Sequence, residues 1–246
     1  MVIAAAQINP IREGINRNLK THYNLIKLAA GKGVRLIAFP ELSITGYERE
    51  EANKLSFSIS DDRLDKLKDL SAENNMIIIA GAPIKMDFGL YIGSFVIFPN
   101  GKVSIYTKQY LHTGEELFYK PSFDYNPLIE LEGERISLAI CADIDHPEHA
   151  ENAGKKKSSF YIPSIFFSPK GIGDAYQKLS SYAASHSMNV LMSNFCVTSY
   201  GSDAAGKSGL WNKKGKLITQ LDSIREGLVI ATGEGENWAG EAIYLS

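Results

Sequence analysis

LIAFPELSITGY (residues 36–47) places a carboxylate directly after a continuous apolar run. Residues 36–40 fit a strand buried on both faces. Burying an unpaired carboxylate is costly, so Glu41 at the end of such a strand needs a partner or a use. On the N-terminal side, Ile15, Leu19, Tyr23, Ile26 and Ala30 recur every three to four residues, the period of a helix, and Gly31 and Gly33 end it. VIAAAQI (2–8) reads as the strand before that helix. On the C-terminal side, residues 62–74 read as a second helix with Leu64, Leu67 and Leu70 inward, and MIIIAGAP (76–83) as the next strand. Strands alternating with helices predict βαβ units.

Outside this block the pattern changes. IGSFVIFP and KVSIY flank Asn100-Gly101, a hairpin dipeptide, and PLIEL and ERISLAIC flank Glu132-Gly133. FYIPS (160–164), a helix near 173–188 and NVLMSN (189–194) restore the alternation. Strand candidates at 207–212, 216–221 and 226–232 follow, the first two joined through Lys214-Gly215. Neither a repeat nor a Pro/Gly-rich linker interrupts the chain, so residues 1–246 read as one domain of mixed α/β layers.

Composition narrows the function. Lys plus Arg number 26 against 28 Asp plus Glu, a net charge of −2, which gives no electrostatic case for nucleic acid. No stretch approaches the roughly 20 apolar residues needed to span a bilayer, and MVIAAAQINP lacks the basic segment of a signal peptide. Two cysteines, Cys141 and Cys196, do not make a disulfide framework. A cytoplasmic protein without metal or organic cofactor is expected. FYIPSIFF (160–167) and AYQKLSSYAASHSM (175–188) are apolar enough to predict a homodimer or larger assembly.

Two further segments carry chemistry. Lys108 stands in YTKQYLHTGEE (106–116) and Cys141 in RISLAICADIDHPE (135–148), each after a strand-like run. A thiol, a carboxylate base and an ammonium are the parts needed for thiolate attack on a carbonyl-type carbon. Pro147 suits the first turn of a helix and Asp145 could cap it. A thiol between a strand end and a helix N-terminus is expected to favour thiolate. Other groupings are weaker. Cys141, His146, His149 and Cys196 match no common zinc spacing, and a Cys141/His186/Asn194 protease set would take its histidine from within a helix. His149 is expected to be an exposed helix residue.

FPELSITGY, the Lys108…Gly114-Glu115…Cys141-Ala142-Asp143…Pro147-Glu148 order, VLMSN (190–194) and GKSGLWNKKGKLI (206–218) together resemble the nitrilase superfamily of carbon–nitrogen hydrolases. The resemblance covers nearly the whole chain. It implies a four-layer α-β-β-α sandwich with two mixed β-sheets and hydrolysis of a small amide, with nitrile or N-carbamoyl substrates, or a non-catalytic protein on the same fold, as alternatives. It implies Glu41 as general base, Cys141 as nucleophile, and Lys108 with the Ala142 N–H as oxyanion donors. Glu115 or Glu116 matches an additional glutamate, Glu115 being preferred because it directly follows Gly114. Tyr47, Asp145 and His146 are the expected pocket residues around this set. Asp145 replaces an arginine that in many members holds a substrate carboxylate. Asp143 replaces the glutamate that often follows the cysteine in true nitrilases. Both departures point to an uncharged or amine-bearing amide. A C-terminal element that reaches across a dimer in many members is expected to be reduced after Trp238.

Overall fold

The continuous apolar runs become the inner strands of two sheets, and the amphipathic segments become helices that cover their outer faces. The computed structural model describes residues 1–245, with backbone alone for Thr198 and Ser199. In chain order the elements are β1 (Val2–Gln7), α1 (Ile15–Ala30), β2 (Leu36–Ala38), α2 (Asp65–Glu73), β3 (Ile77–Met86), β4 (Gly89–Ile97) and β5 (Val103–Thr107). They continue with β6 (Ile129–Leu131), β7 (Glu134–Ile140), α3 (Pro147–Lys155), β8 (Phe160–Ile165), α4 (Ile172–His186) and β9 (Asn189–Asn194). The last are β10 (Cys196–Ser199), β11 (Ser202–Ala205), β12 (Gly209–Trp211), β13 (Leu217–Gln220), β14 (Gly227–Glu234) and β15 (Asn237–Tyr244).

One sheet has the order β15-β14-β1-β2-β3-β4-β5 and the other β13-β12-β9-β8-β7-β6. Both are mixed: β1, β2 and β3 run parallel in the first, β7, β8 and β9 in the second, and hairpins extend each edge. The sheets pack face to face through β1 against β9 and β12 against β14. Helices α1 and α2 cover the first sheet, and α3 and α4 pair on the second. This is the expected four-layer α-β-β-α sandwich, which periodicity alone does not distinguish from a single sheet between two helix layers. Short turns set the hairpins. Glu132 and Gly133 both take positive φ, as a type I′ turn requires.

Two segments differ from their sequence reading. β8 is buried along its whole length, and α4 turns Ile172, Ala175, Leu179, Tyr182 and Ala183 inward. The apolar side chains behind the expected oligomer are thus mostly covered within one chain, because the second sheet lies between two layers. β15 escapes the pattern because it is an edge strand, half exposed and interrupted by Gly240. No helix among the described residues is long and apolar enough to cross a membrane.

Candidate active site

Lys108 and Cys141 follow directly on β5 and β7, and Glu41 stands just past the end of β2, after Phe39 and Pro40, so the strand ends bring them to one place. Glu41 sits in a buried turn against β3. There Ile44 N donates to Gly81 O (2.9 Å) and Gly81 N to Ser43 Oγ (3.1 Å). A Cβ at Gly81 would lie 2.5 Å from Leu42 N and 2.6 Å from Pro40 O, so only glycine lets the two backbones approach. Lys108 N donates to Ile92 O (2.8 Å), which continues the strand pairing up to the lysine. Gly114, at φ 92°, turns the chain so that Glu115 faces back toward Lys108.

Cys141 opens a short helical turn and has φ 43°, a left-handed conformation that costs a non-glycine residue about 1–3 kcal/mol. Asp143 holds it there. Its Oδ2 accepts from Ile140 N (2.8 Å) and the Tyr106 hydroxyl (2.6 Å), and its Oδ1 from Gln109 N (2.9 Å) and Tyr110 N (3.0 Å). One carboxylate therefore ties the cysteine turn to the residues just after Lys108.

The charges form a closed group. Lys108 Nζ donates to Glu41 Oε1 (2.7 Å) and Glu115 Oε1 (2.9 Å), and all three side chains are fully buried. Glu115 also accepts from the Tyr47 hydroxyl (2.6 Å) and from His112 N (2.8 Å). Glu41 Oε2 has no partner at hydrogen-bond distance. Burial, opposed by Lys108, pushes the Glu41 carboxyl up to about 7. Glu115 is also penalised by burial, but Lys108 and its hydrogen bonds hold its carboxyl below the ordinary range. The donor counts agree: three for Glu115, one for Glu41. Burial opposes the Lys108 cation, yet Glu41, Cys141 and Glu115 outweigh it and raise its pKa.

The thiolate expectation is overturned. Burial first, then the Glu41 carboxylate, push the Cys141 thiol well above its ordinary value, so the resting group is S–H. The helix whose N-terminus was expected to favour a thiolate begins only at Pro147, six residues on. Cys141 Sγ lies 3.2 Å from His112 Nε2 and 3.8 Å from Phe166 O. His112 was not among the sequence candidates. It sits in the Lys108 segment, four residues after the lysine, but on an irregular loop where no period marks the direction of a side chain.

A pocket of about 250 Å³ opens on these groups. Glu41, Tyr47, His112 and Cys141 form its floor, and Phe166, Phe167, Ser168 and Ser202 its wall. Asn194 Oδ1 accepts from Phe167 N (2.9 Å) and fixes that wall. The β10–β11 hairpin brings in Ser202, and its tip packs Tyr200 edge-on against Tyr47 at 5.5 Å. The Tyr200 hydroxyl accepts from Arg49 Nη2 (3.0 Å) and donates to Glu50 Oε1 (2.5 Å).

Several expected pocket residues lie elsewhere. Asp145 pairs with Lys178 on α4 (2.6 Å) and is not part of the lining, nor does it cap α3, whose N-cap is His146. His146 stacks on Tyr110 (3.7 Å) outside the lining. His149, expected exposed, is buried, because the hydroxyls of Tyr106 (2.9 Å) and Tyr161 (2.8 Å) satisfy both ring nitrogens. Asp143 is held by its four donors and does not line the pocket. Ala142 follows Cys141 in the same turn, where first-turn N–H groups lack an intrahelical acceptor. Of the two glutamates, Glu115 is buried on Lys108, while Glu116 is exposed and accepts from Gly114 N (2.6 Å).

The carbon-nitrogen hydrolase family model matches residues 2–237. The chain belongs to the carbon-nitrogen hydrolase family. Among the relatives of this chain, a nitrilase of Pyrococcus abyssi is 29% identical over 158 residues, 63% of this chain and 60% of that protein. A glutamine-dependent NAD(+) synthetase of Aquifex aeolicus is 25% identical over 210 residues, 80% of this chain and 36% of that protein. The match thus spans less than two thirds of either relative. An amidase from Nesterenkonia sp. AN1, solved as a variant in complex with butyramide, superposes with a TM-score of 0.82 at 19% identity, covering 94% of this chain and 89% of that one. At that identity the likeness shows the fold.

Proposed function

We propose that this hydrolase cleaves the non-peptide C–N bond of a small amide through a Cys141 thioester. The observation that carries the reading is the unpartnered Oε2 of Glu41, buried beside a neutral thiol in a pocket floored by both. A carboxylate with a pKa near 7 suits a general base at neutral pH. As Sγ attacks the carbonyl carbon, Glu41 takes the thiol proton. Lys108 has three N–H bonds; two are directed at Glu41 and Glu115, and the third is left for the oxyanion, together with the Ala142 N–H. Glu41 passes its proton to the nitrogen, the C–N bond breaks, and ammonia or an amine departs. Water attacks the thioester as Glu41 takes its proton. The C–S bond then breaks, and Glu41 returns the proton to sulfur.

Pocket size and lining favour a short neutral acyl group. A volume of about 250 Å³ holds on the order of eight waters, and the wall is aromatic with two hydroxyls. The butyramide complex of the Nesterenkonia amidase supports a small aliphatic amide. No Arg lines the pocket among the described residues, which favours uncharged over carboxylate-bearing substrates. Ammonia release from short aliphatic amides, nitriles, carbamoyl amines and ω-amides tests this. Short neutral amides should turn over fastest. Exclusive turnover of nitriles or of carboxylate-bearing amides would replace the reading.

A further inference from the structure

We propose that His112 is a catalytic residue: its Nε2–H donates to Cys141 Sγ and stabilises the negative charge that develops on sulfur as the thiol proton leaves. The inference rests on the reading of Cys141 as nucleophile and Glu41 as base. His112 Nε2 lies 3.2 Å from the reacting sulfur and lines the same pocket. The other contact to sulfur, Phe166 O at 3.8 Å, is a carbonyl and can only accept. It offers nothing to a thiolate.

The remaining polar groups are committed elsewhere. Two Lys108 protons point to Glu41 and Glu115, and the third serves the oxyanion. In the resting site Sγ donates to Phe166 O (3.8 Å), and the unpartnered Glu41 Oε2 is the carboxylate oxygen left to take the thiol proton in the reaction. Sulfur then keeps its lone pairs toward His112, which makes Nε2 the donor. The charged groups acting on the ring and the thiol are Glu41, Lys108 and Glu115, with the Asp143 and Asp145 carboxylates contributing at the ring and the Tyr47 hydroxyl beside them. Burial and Lys108 lower the His112 pKa, so the ring is neutral and carries a single N–H.

The loop is built to hold that ring. His112 N donates to Glu115 Oε2 (2.8 Å), and His112 O accepts from Glu115 N (3.0 Å). Glu115 thereby orients Lys108 and anchors His112 at once. A donor fixed before reaction stabilises developing charge without reorganisation. The proton balance of the proposed cycle is unchanged: sulfur gives its proton to Glu41, and His112 keeps its own.

The test is the rate of iodoacetamide alkylation at Cys141, read by peptide mass spectrometry from pH 5 to 10. It uses the full chain as wild type, His112→Phe and His112→Gln, alongside amide kinetics and thermal melts. His112→Phe should slow alkylation at pH 7 about tenfold or more and move its midpoint up by roughly one pH unit. It should lower kcat with little change in KM, because the hydrogen bond strengthens only as charge develops. His112→Gln, which keeps an N–H donor, should recover part of the loss. An unchanged alkylation profile in His112→Phe, or a midpoint moved downward, overturns the inference and leaves the amidase reading intact. Should His112→Phe not fold, His112→Asn, whose amide is too short to reach sulfur, takes its place by the same criteria. A wild type that alkylates Cys141 no faster than Cys196 instead removes the nucleophile assignment, and the inference with it.

Discussion

Asp143 and Glu41 are both fully buried carboxylates within one small region, yet their surroundings differ in kind. Asp143 accepts four hydrogen bonds from neutral donors, three backbone N–H groups and one tyrosine hydroxyl. Glu41 accepts one, from the Lys108 cation, on one of its two oxygens. A carboxylate whose lone pairs are filled on both oxygens is a fixture. One with an empty oxygen beside a thiol keeps a place for a proton, and its desolvation is incompletely offset. Glu115 lies between them: three donors fill it, and it positions Lys108 and His112.

The largest effect expected from this contrast is on turnover. Cys141→Ala and Glu41→Gln should each lower kcat about 10³-fold or more while melting near the wild type, since neither removes a filled hydrogen-bond hub. Ammonia release by either variant above about a tenth of wild type breaks the distinction. Lys108→Met should damage both properties. Loss of an oxyanion donor costs roughly 3–4 kcal/mol of transition-state stabilisation. Two buried carboxylates left without their cation should destabilise the fold by about 3–5 kcal/mol in urea unfolding. A Lys108→Met effect confined to KM would place the lysine in ground-state binding instead.

Asp143→Asn sharpens the comparison from the other side. The amide cannot accept on its NH₂ side, so buried donors among Ile140 N, Tyr106, Gln109 N and Tyr110 N lose their acceptor. A stability loss of about 1–3 kcal/mol follows, with activity lowered through the displaced Cys141 turn. If Asp143→Asn melts like wild type while Glu41→Gln melts early, the two roles are reversed.

The smallest effect is in pH dependence. The folded Glu41 carboxyl is raised from 4.5 to about 7, so the neutral form is preferred in the folded state. Its contribution to stability is therefore complete below about 4.5 and lost as pH rises through 7. Wild type should lose stability relative to Glu41→Gln across that window, while kcat/KM rises on an acid limb near 7. A flat stability difference between pH 4.5 and 8 contradicts the raised value.

Much of this was legible in the chain. Apolar runs and turn dipeptides mark most strands, the helices of the first half and both central hairpins, since period and turn chemistry are local. Glu41, Lys108 and Cys141 stood out because each follows a strand-like run, and the family resemblance grouped them. His149 was misread because its two satisfying hydroxyls lie on β5 and β8, 43 and 12 residues away. Asp145 was misread because its partner Lys178 comes from α4, 33 residues on.

The sequence by itself determined most element types, the placement of Glu41, Lys108 and Cys141 after strand-like runs and, through its motifs, the family resemblance. Tertiary structure decided the stacking of two sheets, the choice of Glu115 over Glu116, the retirement of Asp143 into the backbone and the approach of His112 to sulfur. The physical reason is common to these cases. Whether a polar side chain is structural or chemical depends on how many of its hydrogen bonds are already made, and those partners come from chain segments that only folding brings together.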